Sequence, residues 1–226
     1  MNYFAIIVAG GQGLRMGPGV PKQFMLLGGY PVIMRTIERF AEAVPGVQIV
    51  LVLHPDHVET WQRLSREYLF YIPVHLALGG RERFYSVRNG LEKIAPSLAA
   101  TSLVAVHDGV RPLVSVEVIR RAYSEAAEYG AVVPALPSVE SVRMVDADGC
   151  SVAVDRSRVM LVQTPQVFTM PLLREAYGHP YSPSFTDDAS VVEALGHPVH
   201  IIPGNRENVK LTTPYDLSLA ESLLGK

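Results

Sequence analysis

The residues best suited to chemistry sit in short clusters that follow apolar runs. The first is Ala9-Gly10-Gly11-Gln12-Gly13-Leu14-Arg15-Met16-Gly17, continued by Pro21-Lys22-Gln23-Phe24. Glycines let backbone approach a ligand closely, and consecutive N–H groups in such a loop form an anion-binding concavity. Arg15 and Lys22 add full charges where a triphosphate would lie. The loop is not the lysine-containing P-loop, because no Gly-Lys-Ser/Thr follows at the required spacing, and the dinucleotide fingerprint fails because Met16 stands at its third glycine. Phosphate binding by backbone amides and two cations is the chemistry this cluster suits.

The second cluster, His107-Asp108-Gly109-Val110-Arg111-Pro112, closes another apolar run with a carboxylate and a guanidinium. Asp108 could bind magnesium, which takes carboxylate and phosphate oxygens; the alternative is an Asp108–Arg111 ion pair that only shapes the turn. His107 has a side chain suited to proton transfer, yet single histidines more often hydrogen-bond backbone. Further anchors are Gly79-Gly80-Arg81-Glu82-Arg83-Phe84-Tyr85-Ser86-Val87, Asp155-Arg156, Gln163-Thr164-Pro165-Gln166, Thr186-Asp187-Asp188-Ala189-Ser190 and Asn208-Val209-Lys210. Each is weak alone, since Thr186 could be a helix cap and Lys210 a solvated charge. His54 and His57 lack an evident third metal ligand, and neither Ser86 nor Ser190 lies in a Gly-x-Ser-x-Gly elbow.

The elements that must position these clusters alternate. Phe4 to Ala9, Gln48 to Leu53, Val74 to Leu78, Leu103 to Val106 and Ala131 to Val133 read as strands buried on both faces. Residues 32–44, 87–94 and 115–126 carry apolar side chains at helical spacing. Such alternation predicts a doubly wound, mostly parallel α/β sheet with ligands beyond the carboxyl ends of the strands. Asp56 with Glu59 reads as an N-cap and its reciprocal partner, and Pro214 suits the first turn of the last helix. From Ser138 to Gln163 the pattern becomes that of a β-hairpin turned at Asp148-Gly149. Too thin to own a core, this arm should lie on the main domain or on a second subunit, which makes it a candidate dimer contact within a single domain spanning 1–226.

Composition narrows the partners. With 48% hydrophobic residues, 19% charged residues and a formal charge of −2, the chain is an ordinary globule without a basic surface for nucleic acid. Cys150 is the only cysteine, so no intramolecular disulfide forms. The first apolar run is too short to cross a bilayer and lacks the flanks of a signal peptide, so the expected location is cytoplasmic, with no membrane partner.

Taken in order, these motifs resemble the 2-C-methyl-D-erythritol 4-phosphate cytidylyltransferases over essentially the full chain. The resemblance rests on Ala9-Gly10-Gly11-x-Gly13-x-Arg15-Met16 with Pro21-Lys22-Gln23, Gly79-Gly80-x-x-Arg83-x-x-Ser86-Val87, His107-Asp108-x-x-Arg111-Pro112, Thr164-Pro165-Gln166, Thr186-Asp187-Asp188-Ala189-Ser190 and Asn208-x-Lys210. It implies a Rossmann-like nucleotidyltransferase domain whose arm exchanges across a homodimer. It implies CMP transfer from CTP to a sugar-alcohol phosphate, with a divalent cation, Mg2+, as cofactor and release of pyrophosphate. Arg15 and Lys22 would stabilise the triphosphate, with Gly10, Gly11 and Gly13 in the binding loop. Gly80, Arg81 and Ser86 would line the cytosine pocket, and Asp108 and Arg111 would lie near metal and acceptor. Arg156 of the partner's arm and Lys210 would orient the acceptor phosphate, assisted by Thr186. Val110, Tyr85 and Ser141 depart from the common pattern, and Ser141 keeps a hydroxyl that can reach the acceptor. A ribitol 5-phosphate cytidylyltransferase shares the glycine loop and Thr-Pro-Gln. A dinucleotide oxidoreductase would need an acidic residue where the second strand ends in Leu53-His54-Pro55, and a nucleotide-sensing module would leave Arg156, Thr186 and Lys210 without purpose.

Overall fold

Seven strands form the frame of the sheet in the computed structural model, which describes residues 1–11 and 20–224. β1 (Asn2–Ala9) lies centrally, with β4 (Gln48–Leu53) and then β5 (Val74–Leu78) on one side and β6 (Ser102–Asp108) on the other, all parallel. Beyond β6, β11 (Gln166–Thr169) runs antiparallel between β6 and β7 (Ala131–Pro137). β10 (Met160–Val162) continues the line of β11 along β7, the register stepping by two residues between Val162↔Ala135 and Val167↔Val132. β12 (His200–Pro203) pairs parallel with β7 as an eighth strand. A short hairpin of β2 (Leu26–Leu27) and β3 (Tyr30–Pro31) stands apart.

Alternation along each strand supplies both faces. Ala5, Ile7 and Ala9 of β1 enter one core with α1 (Val32–Ala43), α2 (Val58–Glu67) and α4 (Val116–Tyr129), while Phe4 and Ile6 enter the other with α3 (Arg83–Leu91), α5 (Met170–Gly178) and α6 (Asp188–Glu193). α7 (Pro214–Leu224) packs through Ala220 against a third, smaller cluster with Leu27 and Val110. Each fully buried Ile, Leu or Phe side chain contributes about 1.5–3 kcal/mol. The sheet is thus a doubly wound α/β sheet, mostly parallel. β5 differs from the expectation of two buried faces: as the edge strand it buries Ala77 but leaves Leu78 exposed. Among the described residues no helix is long and apolar enough to cross a membrane.

Local chemistry explains the helix ends. Ser115 Oγ accepts the Val118 N–H at 3.1 Å to start α4, and Gly130, at φ +81°, ends it in a conformation that disfavours a side chain. Asp187 and Ser190 form a reciprocal capping box on α6, so Asp187 and not Thr186 is the cap. The cap expected at Asp56 does not form. His54 Nδ1 accepts the Asp56 N–H at 3.3 Å and opens a 3-10 turn over Pro55–His57, from which α2 continues without a side-chain cap.

β8 (Val142–Val145) and β9 (Ser151–Val154) make a two-stranded ribbon. Its turn is held by Asp146 Oδ1, which accepts the N–H groups of Asp148 at 3.1 Å and Cys150 at 2.8 Å, and by Gly149 at φ +80°. The register places Val142, Met144, Val152 and Val154 on one face. Met144 and Val152 are more than 60% exposed in the chain alone.

Candidate active site

The sheet changes direction of winding at β1, which has β4 on one side and β6 on the other, and ligands of such sheets bind outside the strand ends at this point. There the loop after β1 meets the ends of β5 and β6. A Cβ on Gly79 would stand 2.9 Å from Gly10 Cα, and one on Gly10 would lie 3.0 Å from Ser86 Oγ. The two glycine loops therefore press backbone to backbone, which no larger residue permits. Ser86 Oγ accepts the Gly80 N–H at 3.0 Å and donates to the Glu82 carbonyl at 3.2 Å, fastening the second loop to α3.

Between these loops opens a cleft of about 650 Å³, lined by Gly10, Gly11, Lys22, Gly80, Arg81 and Ser86 among others. A second cavity, of about 180 Å³, adjoins it and is lined by Arg111, Gln163, Thr164 and Thr186. Arg83, Asp108 and Lys210 line both. Gly13 and Arg15 lie outside the described residues. Arg156 and Ser141 line neither cavity of their own chain. Arg156 Nη1 donates to the Val139 carbonyl at 2.8 Å at the base of the ribbon, and Ser141 is exposed beside β8.

The shared wall is an electrostatic knot around Asp108. Its Oδ2 meets Arg111 Nε and Lys210 Nζ, each at 3.1 Å, and its Oδ1 lies 3.8 Å from Arg83 Nε. Burial pushes the carboxyl pKa up, but Arg83, Lys210 and Arg111 overcome it and hold Asp108 well below the usual carboxylate range. Arg83 in turn forks onto buried Asp188, Nη1 to Oδ1 at 2.8 Å and Nη2 to Oδ2 at 2.6 Å, where the Tyr177 hydroxyl also donates to Oδ1 at 2.6 Å. Arg111 Nη1 donates to the Asn208 carbonyl at 2.8 Å, and the Asn208 amide donates to the Thr164 carbonyl at 2.8 Å, tying the loop carrying Lys210 to the turn after β6 and to Thr164.

His107 resolves as a structural residue. It is fully buried, Nε2 donates to the Arg111 carbonyl at 3.2 Å, and Nδ1 takes the Thr164 hydroxyl at 3.0 Å. Burial lowers its pKa to about 4 despite the opposing pull of Asp108, so it is neutral at pH 7 and shapes the turn. His54 and His57 are likewise occupied, His57 Nδ1 accepting the Gln23 amide at 3.0 Å.

Two adjoining compartments thus share a wall of two cations and a carboxylate, and comparison with known proteins shows the family of the chain. Residues 3–226 match the family described as 2-C-methyl-D-erythritol 4-phosphate cytidylyltransferase. The chain belongs to that family. Similar members with that name are the protein of Bacteroides thetaiotaomicron, 50% identical over 99% of this chain and 100% of its own, and that of Porphyromonas gingivalis, 54% identical over 98% and 97%. Among solved structures, the 4-diphosphocytidyl-2C-methyl-D-erythritol synthase of Anaerococcus prevotii superposes with a TM-score of 0.83 at 26% identity, covering 100% of this chain and 99% of that one. The 2-C-methyl-D-erythritol 4-phosphate cytidylyltransferase of Francisella tularensis gives 0.81 at 28%, covering 98% and 99%. Within the cytidylyltransferase frame, Arg83 of the shared wall, and Asp188 and Tyr177, which hold it from behind, were given no role by the sequence. Arg83 and Asp188 stand inside recognised motifs, but nothing in their spacing pairs them.

Proposed function

We propose that the larger cleft holds CTP and the smaller cavity holds the acceptor phosphate, so that the wall between them carries the reacting groups. As a member of its family the chain is a nucleotidyltransferase that moves CMP from CTP to 2-C-methyl-D-erythritol 4-phosphate, a step of non-mevalonate isoprenoid biosynthesis. An acceptor phosphate oxygen attacks the α-phosphorus of CTP, the bond to the β-phosphate oxygen breaks, and pyrophosphate leaves with that electron pair. A phosphate monoester has a second pKa of about 6, so the attacking oxygen is already ionised at neutral pH and no side-chain base is needed.

What carries this reading is the sharing of Arg83, Asp108 and Lys210 by the two cavities. Two anions must come within bonding distance, and their repulsion is offset by cations fixed before either arrives. Lys22 and Arg15 would serve the triphosphate, and Lys210 and Arg111 the acceptor. Gly10, Gly11 and Gly13 would supply backbone N–H groups, with Gly80, Arg81 and Ser86 beside the base and Thr186 beside the acceptor.

Asp108 fits magnesium. Arg111 and Lys210 occupy Oδ2, while Oδ1 lies 3.8 Å from Arg83 Nε, and Asp108 lines the cleft. Magnesium commonly takes one or two carboxylates and completes its shell with phosphate and water. When bound, it would neutralise part of the triphosphate charge.

The ribbon and its flanks, 138–163, would pair with a second copy, covering Val142, Met144, Val152 and Val154 and bringing the partner's Arg156 and Ser141 to the acceptor. The support is the exposure of Met144 and Val152 on that face, together with the position of Arg156 and Ser141 outside both cavities of their own chain. Because CTP is an intracellular metabolite, this reading also places the protein in the cytoplasm.

Pyrophosphate release tests the reaction: purified protein with CTP and magnesium receives methylerythritol 4-phosphate or ribitol 5-phosphate in turn. Release that depends on methylerythritol 4-phosphate is expected. Preference for ribitol 5-phosphate would change the acceptor, and silence with both would remove the catalytic reading.

A further inference from the structure

Thr186 sits in a segment with little backbone bonding of its own. Between α5 and α6 the chain passes Pro180 and Pro183, and its turn rests on the Phe185 N–H to Ser182 carbonyl bond at 3.0 Å and the Ser182–Ser184 hydroxyl contact at 2.8 Å. At its far end Ser190 Oγ accepts the N–H groups of Thr186 and Asp187, at 3.0 and 3.2 Å. The Gln166 amide also donates to Asp187 Oδ2 at 2.8 Å, and the ties of Tyr181 and Phe185 to α3 are aromatic.

Phe84 stacks on Tyr177 at 4.7 Å and on Phe185 at 5.9 Å, and meets Tyr181 at 5.7 Å. Tyr85 also meets Tyr181 at 5.7 Å, and Tyr181 closes on Phe185 edge to face at 6.3 Å. The other side of Tyr85 holds Arg81, whose guanidinium lies 4.6 Å above the ring and donates to the hydroxyl at 2.7 Å. A continuous set of contacts therefore leads from Arg81, in the wall of the larger cleft, through Tyr85, Tyr181 and Phe185 to Thr186, in the wall of the smaller cavity.

We propose that Tyr181 and Phe185 are positioning residues for the acceptor: they fasten the segment bearing Thr186 to the helix that forms the nucleotide wall. Neither touches the reacting atoms. The physical basis is that rings packed in offset or edge geometry resist sliding, and a segment without ladder bonds depends on such contacts for its place. The Arg83–Asp188 fork fixes α6 and Gln166 holds Asp187, while at Tyr181 and Phe185 it is the rings that tie the loop to α3. This inference rests on the assignment of the smaller cavity to the acceptor phosphate.

The test is a set of Michaelis constants measured by pyrophosphate release for Tyr181→Ala, Phe185→Ala, Tyr181→Phe and Phe185→Tyr, with melting temperatures alongside. For the two alanine variants the acceptor constant should rise about tenfold, with the CTP constant and saturated turnover changed less than about twofold. Tyr181→Phe and Phe185→Tyr keep the rings and should behave as the parent. Tyr181 meets three rings and Phe185 two, so Phe185→Ala decides if Tyr181→Ala does not fold. Unchanged acceptor constants, or constants for CTP and acceptor rising together, would overturn the proposal and leave the rings as core packing. Failure of the parent protein to release pyrophosphate would instead overturn the functional reading beneath it.

Discussion

The Asp108 cluster and the β8–β9 ribbon are built in opposite ways. The cluster joins residues far apart in sequence, Arg83 to Asp188 across 105 positions and Arg111 to Asn208 across 97, and Asp108 and Asp188 are buried. The ribbon is held by local bonds, such as Arg143 Nε to Ser151 Oγ at 2.8 Å across 8 positions, and its apolar face is open. Geometry in the cluster is therefore fixed by the whole fold and present before ligand arrives. Geometry in the ribbon rests on local bonds, which leave an isolated two-stranded hairpin marginally stable, and the proposed second copy would supply the rest.

Removing a cation from the preformed side should have the largest effect. Lys22→Ala is expected to lower turnover about a hundredfold or more while the fold survives, because transition-state charge is left unbalanced in a site that cannot rearrange to compensate. Near-parent turnover would refute the role given to Lys22, and circular dichroism would confirm that the variant is folded. Next comes Asp108→Asn, which leaves Arg83, Arg111 and Lys210 facing one another. Urea unfolding should show a loss of about 3 kcal/mol, as for other broken buried pairs, and an unchanged midpoint would show that the cations relax into solvent.

Acid should act on the preformed side. His107 has a folded pKa of about 4 and that of His57 is also lowered, both mainly through burial. As pH falls from about 6.5, unfolded histidines take up protons that the native ones refuse, so stability should decline down to about pH 4, by about 3 kcal/mol from His107 alone. Asp108 acts in the same sense, at lower pH. Its folded pKa is depressed, so its contribution is present above the unfolded value near 4 and is lost only as pH falls through the lower folded value. Urea midpoints between pH 7.5 and 4 would check this. His107→Asn should give a shallower slope, and an unaltered slope would move the titration elsewhere.

The smallest effect belongs to the ribbon. Ser141→Ala should raise the acceptor's Michaelis constant a few-fold without changing turnover or stability. No change would remove Ser141 from the site.

Much of this was legible from the residues. Gly10, Gly79 and Gly80 stand where backbone meets backbone, Asp108 and Arg111 do pair, and the apolar runs became the strands of a doubly wound sheet. What escaped was set by distance or brevity. Arg83 finds Asp188, and Tyr177 joins them, only once α3, α5 and α6 pack together, which no periodicity encodes. β10, β11 and β12 are three or four residues long and α6 is six, too short to show a repeat. Of the two alternatives for Asp108, the ion pair with Arg111 is present in the fold, and the magnesium role is part of the proposal.

The contrast between a preformed cleft and a borrowed arm is tested most directly by mixing two inactive variants, Lys22→Ala and Arg156→Ala, in one preparation. If Arg156 acts in the partner's site, each mixed dimer holds one site with both residues intact, and random pairing should restore about a quarter of the parent's turnover. If each chain uses its own Arg156, every site carries one defect, and the mixture would stay as inactive as its components, contradicting the account.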